Sequence, residues 1–333
     1  MIVILKENPE ESQLNSLIAW LETQRIHVHP TVGANQTILG LVGDTSRVDM
    51  DMISSLDIVE AVKRVQEPFK NVNRKFHPDD TVIRIGDTEI GGKELTIIAG
   101  TGMLESREQL FAVAEAAKKS GVSFLRGSVF GPRSSPYSYQ GMRVEGIRLL
   151  LEARETFGIP VISEIMDASQ LPLFEDIDIL QVGSRNMQNY SLLKALGKTD
   201  KTVLLKRNMS ATYEDLLMSA EYLLAGGNRN VILCERGIRT FETHTRSTID
   251  ISAVPVLKQL SHLPVLVDPG DAVGRASLVP PIAQAAVAAG ADGVVVQVHG
   301  DAGQAGSGSA QAVTPSTLTG LTEKLNKLKA VLA

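Results

Sequence analysis

The stretch Val294-Val295-Val296-Gln297-Val298-His299 is apolar on consecutive residues and turns polar only near its end. A strand with one wet face alternates apolar and polar residues. A run that is apolar on both parities is buried on both faces, as in a parallel sheet covered by helices. Similar runs recur at 95–99, 123–126, 161–164, 179–182, 203–206, 231–234 and 265–267. Stretches of helical periodicity lie between them, for example at 106–119, 141–156, 212–224 and 278–289. Eight strand-helix repeats over residues 95–333 predict an α/β chain closed as a (β/α)8 TIM barrel. A doubly wound sheet would also alternate strands and helices. No Gly-x-Gly-x-x-Gly follows an early strand, so a dinucleotide site is not expected.

The chain before the barrel has another rhythm. Met1–Lys6 is a short β-rich run, and residues 10–23 place Leu14, Leu17, Ile18 and Leu21 at helical spacing. Strands follow at Ile26–His29 and Thr37–Val42, split by a turn at Gly33-Ala34-Asn35; then come a helix at Val48–Leu56 and a strand at Ile58–Val65. This βαββαβ order predicts an N-terminal ferredoxin-like domain over residues 1–66. Residues 67–94 read as a linker with Pro68 and a polar stretch, then a hairpin turning at Gly86-Asp87.

Composition bounds the function. The chain has 333 residues, of which 43% are hydrophobic and 21% charged, enough to build a large core. Its net charge of −5 argues against broad binding to nucleic acid or to an anionic membrane. No apolar run approaches a membrane span and no secretory signal is visible, so the expected compartment is the cytoplasm. A single cysteine, Cys234, excludes a disulfide framework, and at the end of an apolar strand it reads as a small buried residue.

Barrels carry function where strands end at the C-terminal face. The residues there include Arg126, Glu164, Arg185, Lys206, Arg236 and Asp268. Arginine offers planar paired donors and lysine a point charge, so this set predicts a pocket for a compact anion. The plainer alternative is that each cation pairs with a carboxylate on the barrel rim. Arg133 and Ser134, in the loop after the second barrel strand, form a second anion-binding candidate. Among the six histidines, His27 and His29 share an exposed strand face of the small domain, whereas His299 ends the eighth barrel strand. No His-x-x-x-His, Cys-x-x-Cys or Asp-x-Asp-x-Asp-Gly pattern occurs, so no metal and no cofactor is expected.

Four segments carry a resemblance: Pro132-Arg133-Ser134-Ser135-Pro136-Tyr137-Ser138-Tyr139-Gln140-Gly141, Gly183-Ser184-Arg185-Asn186-Met187-Gln188-Asn189, Leu204-Leu205-Lys206-Arg207 and Cys234-Glu235-Arg236-Gly237-Ile238-Arg239-Thr240-Phe241. They resemble the 3-deoxy-D-arabino-heptulosonate-7-phosphate (DAHP) synthase family, in the microbial subtype with an N-terminal ferredoxin-like domain. The family condenses phosphoenolpyruvate with erythrose 4-phosphate, the first step of the shikimate pathway. The resemblance assigns Arg126, Glu164, Ser184, Arg185, Lys206 and Arg236 to the phosphoenolpyruvate pocket. It assigns Arg133 and Ser134 to the sugar phosphate. It also implies association as a homotetramer or homodimer, for which the sequence itself offers the apolar rim-loop residues Met103 and Leu104.

The departures are as informative. The family's first loop reads Ala-Gly-Pro-Cys-Ser-Val-Glu-Ser, with a metal-binding Cys; here Gly102 stands at that position in Ala99-Gly100-Thr101-Gly102-Met103-Leu104-Glu105-Ser106. Asp271, Gln297 and Gly308 stand where the family has a His, a Glu and an Asp ligand, and Gly131 replaces its catalytic Lys. The resemblance therefore implies a retained anion pocket without the metal site. Three readings stay open. The first is a metal-independent enzyme acting on an enolpyruvyl, phosphorylated or shikimate-pathway-related anion, with Glu164, Lys206, Asp271 and His299 as acid-base candidates and a lowered pKa considered for Lys206. The second is a non-catalytic metabolite-binding or regulatory protein, using a small domain that in the family senses aromatic amino acids. The third is a weak DAHP synthase.

Overall fold

A computed structural model describes residues 1–33, 36–45, 48–64, 67–131, 135–300 and 310–332. The chain divides into two units, Met1–Asp80 with Gln259–His262, and Thr81–Lys258 with Leu263–Ala333.

In the first unit, strand β1 (Ile2–Leu5) is followed by helix α1 (Glu11–Thr23), strands β2 (His27–Val32) and β3 (Thr37–Val42), helix α2 (Met50–Ser54) and strand β4 (Val59–Lys63). The antiparallel sheet has the order β2-β3-β1-β4, the ferredoxin-like arrangement. Leu17 and Leu21 of α1 and Ile53 of α2 pack with Val3, Leu5, Leu39 and Leu41 of the sheet. Helix α2 is shorter than its apolar pattern predicts, because the Asp49 side chain accepts from the Asp51 and Met52 amides and sets its start. His27 and His29 are exposed on β2. His262 is buried, stacks on His77 at 4.2 Å and has a ring nitrogen 2.8 Å from the Asn71 carbonyl oxygen. Burial holds its pKa down at about 4.

The second unit opens with a hairpin, β5 (Ile83–Ile85) and β6 (Thr88–Ile90). Eight strands follow: β7 (Thr96–Thr101), β8 (Phe124–Gly127), β9 (Val161–Glu164), β10 (Ile179–Val182), β11 (Thr202–Lys206), β12 (Val231–Glu235), β13 (Val265–Val267) and β14 (Gly293–Gln297). Each pairs in parallel with the next, and β14 pairs with β7 to close the barrel. The helices are α3 (Arg107–Lys119), α4 (Arg143–Phe157), α5 (Tyr190–Leu196), α6 (Tyr213–Ala225), α7 (Ala253–Leu260), α8 (Pro269–Val273), α9 (Val279–Ala288) and α10 (Pro315–Leu332). Ser106 caps α3 by accepting from the Gln109 amide, and Thr212 and Asp215 cap α6 reciprocally.

The barrel core contains Ile98, Phe124, Ile162, Leu204, Leu266 and Val295, with Ile83 and Ile90 of the hairpin packed into it. The Thr96 hydroxyl at the start of β7 reaches the Glu89 carbonyl, which places the hairpin at the N-terminal end of the strands. The hairpin therefore closes that end, and the opposite end remains for a site. Leu104 is fully buried, so it offers no surface for association, contrary to the expectation from its position in a rim loop. The large exposed rings in the barrel loops include Tyr137, Tyr139 and Phe241 instead.

Ile90→Ala removes a fully buried side chain from this plug and is expected to cost about 2–5 kcal/mol. Denaturant unfolding followed by circular dichroism checks it; an unchanged midpoint would show that the hairpin does not support the barrel.

Candidate functional site

Alternation along each strand builds the site from the core upward. Phe124, Ile162, Leu204, Leu266 and Val295 face into the barrel. Two residues beyond each stand Arg126, Glu164, Lys206, Asp268 and Gln297, which share that inward direction. Above them a cavity of about 600 Å³ is lined by Arg126, Glu164, Ser184, Arg185, Lys206, Arg236, Asp271 and His299, with Asp268 buried beside it and not in its lining. Arg126, Lys206 and Arg236 are buried, whereas Arg185 is exposed at the rim. Arg133 and Ser134 lie outside the described residues.

The cations differ in how they are paired. The Lys206 ammonium donates to Asp268 Oδ2 at 2.5 Å and to Asp271 Oδ2 at 2.9 Å. Burial alone would lower its pKa, but the two carboxylates outweigh that and raise it. The lowered lysine pKa considered from sequence is therefore not found; Lys206 stays charged. Asp268 also caps α8 by accepting from the Asp271 amide at 2.9 Å, and it lies 3.8 Å from Arg126 Nη1. Burial would push the Asp271 carboxyl up; Lys206, Arg126 and Arg236 prevail and hold it well below the usual carboxylate range. That state suits a charge partner for Lys206 better than a proton acceptor.

The two buried arginines are left differently. Nη2 of Arg236 donates to the Asp271 carbonyl oxygen at 3.1 Å. Nε of Arg126 and both Nε and Nη1 of Arg236 are buried with no hydrogen-bond partner in the protein. The Thr101 and Ser128 hydroxyls and Gln181 Oε1, from other residues lining the cavity, are in the same condition. A buried polar group left unmatched costs about 1–3 kcal/mol, and more when charged. The arginine N–H groups and the two hydroxyls, converging on one cavity, are suited to anionic oxygens. By contrast Arg207, next in sequence to Lys206, is paired away from the cavity: its Nη1 donates to Glu235 at 2.8 Å and Asp250 at 2.9 Å.

Glu164 is buried and accepts from Gln181 Nε2 at 3.0 Å. Burial raises its pKa, against the opposing pull of Arg126 and Lys206. Gly183 leaves room for the carboxylate in this position, since a Cβ there would lie 2.1 Å from Glu164 Oε1.

The family's metal positions fail a fit test. Gly102 offers no donor, and a Cβ there would lie 2.0 Å from Gln297 Nε2. Gln297 is neutral, with Oε1 already accepting from Gln311 Nε2 at 2.8 Å, and Asp271 is committed to Lys206. Among the described residues, no three His, Cys, Asp or Glu side chains gather in a way that could hold a metal ion. Gly308 lies outside the described residues, and Gly131 lines the cavity without an amine. Sequence reasoning missed Gln181, Gln311 and Arg246 as cavity residues. Gln181 was recoverable from its spacing of two from Ile179; the other two lie in loops, where no periodicity marks them.

Comparison with known proteins agrees with this architecture. Residues 73–333 match the DAHP synthetase I family, and residues 1–67 match the DAHP synthase ferredoxin-like domain. The chain is 44% identical over 329 residues to a phospho-2-dehydro-3-deoxyheptonate aldolase of Thermotoga maritima, covering 98% of this chain and 97% of that one. A crystal structure of a Thermotoga maritima DAHP synthase superimposes with a TM-score of 0.79 at 43% identity, covering 99% of this chain and 97% of that one. A 2-dehydro-3-deoxyphosphooctonate aldolase of Koribacter versatilis is 30% identical over 266 residues, covering 74% of this chain and 95% of its own.

A carboxyl whose pKa is raised by folding favours the folded state while protonated. Its contribution is complete below the ordinary value near 4.5 and is lost as the pH rises through the raised value. Glu164→Gln keeps the shape without the charge. The variant is therefore expected to gain in melting temperature on the wild type as the pH is raised from 4.5 towards 8. Parallel melting curves across that range would overturn the reading.

Proposed function

Since the chain belongs to the DAHP synthetase I family, we propose that it is a family enzyme that binds a compact dianion of the phosphoenolpyruvate class and works without a divalent metal. The substrate class is an enolpyruvyl, phosphorylated or shikimate-pathway-related anion. The observation that carries this reading is the set of unmatched N–H groups on two buried arginines. A cluster kept only to tie the rim would have found carboxylates, as Lys206 and Arg207 do.

The residues divide the work by their chemistry. Arg126 and Arg236 supply paired donors to the anion, with Lys206 adding charge from its place between Asp268 and Asp271. Arg185 stands at the exposed rim, where an arriving anion meets it first. Glu164, with its raised pKa, is the group best suited to carry a proton inside the cavity, and His299 lines the same space. The binding of Lys206 by two carboxylates favours a second reading, in which the anion is held but not converted.

Calorimetry in metal-free buffer tests the proposal. Phosphoenolpyruvate is expected to bind the wild type, and Arg236→Gln to weaken it by at least ~10-fold, equivalent to about 1.4 kcal/mol. Lys206→Ala is a poorer probe, because it strands two carboxylates. Phosphate release from phosphoenolpyruvate and erythrose 4-phosphate without metal supports catalysis, whereas binding without turnover supports the second reading. No phosphoenolpyruvate binding, or activity that appears only with Mn2+, would refute the main proposal.

A further inference from the structure

Six charged groups meet where the barrel strands end. Three are cations, Arg126, Lys206 and Arg236, and three are carboxylates, Glu164, Asp268 and Asp271. With every carboxylate ionised this cluster carries no net charge, although its unmatched arginine N–H groups call for an anion. A dianion entering it would meet three like charges in a space that screens them poorly. A proton on one carboxylate relieves that repulsion, and their contacts decide which. Asp268 accepts from Lys206 at 2.5 Å and from the Asp271 amide at 2.9 Å. Asp271 accepts from Lys206 at 2.9 Å. Glu164 is held by a neutral group instead: its Oε2 accepts from Gln181 Nε2 at 3.0 Å, and no hydrogen bond reaches Oε1 from the described residues. Oε1 is the oxygen nearer to Gly183, which lines the cavity, so it is the one turned towards a ligand. Arg126 and Lys206 act on Glu164 through space and oppose a proton there, whereas burial and Asp271 favour it, and burial is the largest influence. Glu105, Arg185, Arg239 and Arg246 also line the cavity but are exposed, where water screens them. The histidine of the lining, His299, is the other proton acceptor to be tested.

We propose that this cavity binds a dianion together with one proton, which Glu164 takes up at Oε1 and from there donates as a hydrogen bond to the anion. This rests on the proposal that the arginines hold an anion, and it adds what the binding step does to the protons of the site. The proton comes from solvent, and no bond of the ligand breaks. Gln181 holds Oε2 and so leaves Oε1 to carry the proton. Protonation turns Oε1 from an acceptor that repels an anionic oxygen into a donor that pairs with it. The cluster then carries one net positive charge. Binding therefore weakens as the pH rises, by up to ~10-fold per pH unit once Glu164 of the free protein is ionised.

The test is titration calorimetry of the full chain in metal-free solution at pH 8, repeated in buffers that differ in ionisation enthalpy. Phosphoenolpyruvate is the probe, since a phosphate monoester loses its last proton at about pH 6 and so enters ionised. The wild type is expected to take up close to one proton per phosphoenolpyruvate bound. Glu164→Gln, neutral at every pH, should take up none, keep its affinity constant from pH 7.5 to 9, and bind at least as tightly as the wild type at pH 8. His299→Gln should keep the uptake. A merely structural Glu164 would lose affinity on substitution without moving the proton count. The inference is overturned if the wild type binds phosphoenolpyruvate without taking up a proton. It is equally overturned if the uptake survives in Glu164→Gln or vanishes in His299→Gln. Failure of phosphoenolpyruvate itself to bind would instead refute the underlying anion reading.

Discussion

Closure of eight parallel strands makes every second residue of each strand an interior residue, and the site inherits its geometry from that constraint. The core layer of Phe124, Ile162, Leu204 and Val295 is the floor on which Arg126, Glu164, Lys206 and Gln297 stand. A functional side chain two positions above a fully buried apolar one has little freedom to lean away. The same rule explains Cys234. It falls between Ile232 and Arg236, joins the apolar layer, and burial pushes its thiol pKa up, so it is inert packing material.

Within that frame the charges settle by competition between desolvation and pairing. For Lys206 two carboxylates win over burial, and for Glu164 burial wins over two nearby cations. The difference lies in contact. Lys206 hydrogen-bonds its partners directly, whereas the hydrogen-bond donor to Glu164 is the neutral amide of Gln181. The cavity thus holds a charged lysine, an ionised Asp271 and a glutamate with a raised pKa side by side. Environments that push neighbouring groups in opposite directions are how one site can combine charge stabilisation with proton transfer.

Much of this was legible in the sequence, for a reason that also marks the limit. Barrel strands are continuous apolar runs and the N-terminal unit has a clear strand-helix rhythm, so short-range pattern suffices for both. The strand ends were legible in the same way, and Arg126, Glu164, Lys206 and Arg236, placed there, line one cavity. Pairing depends on where loops bring distant residues. Nothing local in Asp268-Pro269-Gly270-Asp271 says that a five-residue helix will start there and aim two carboxylates at one lysine. The signal available was an Asp followed by Pro, a helix-start pattern. Leu104 was misjudged for a similar reason: its loop folds inward, with its amide bonded to the Ser128 carbonyl at 3.0 Å.

The substitutions at the family's metal positions form a linked set. Gln297 reaches into the space that a side chain on residue 102 would need, so the glycine there and the glutamine opposite are sterically dependent. A Cys at position 102 would drive its Cβ into the Gln297 amide, whose oxygen accepts from Gln311 at 2.8 Å. Asp271 is dependent in another way, since its carboxylate is drawn to Lys206 and its backbone oxygen to Arg236. A site that had merely lost ligands would leave isolated gaps. In this chain the gap at Gly102 is covered by a neighbour, and the acidic replacement at 271 is engaged by a buried cation.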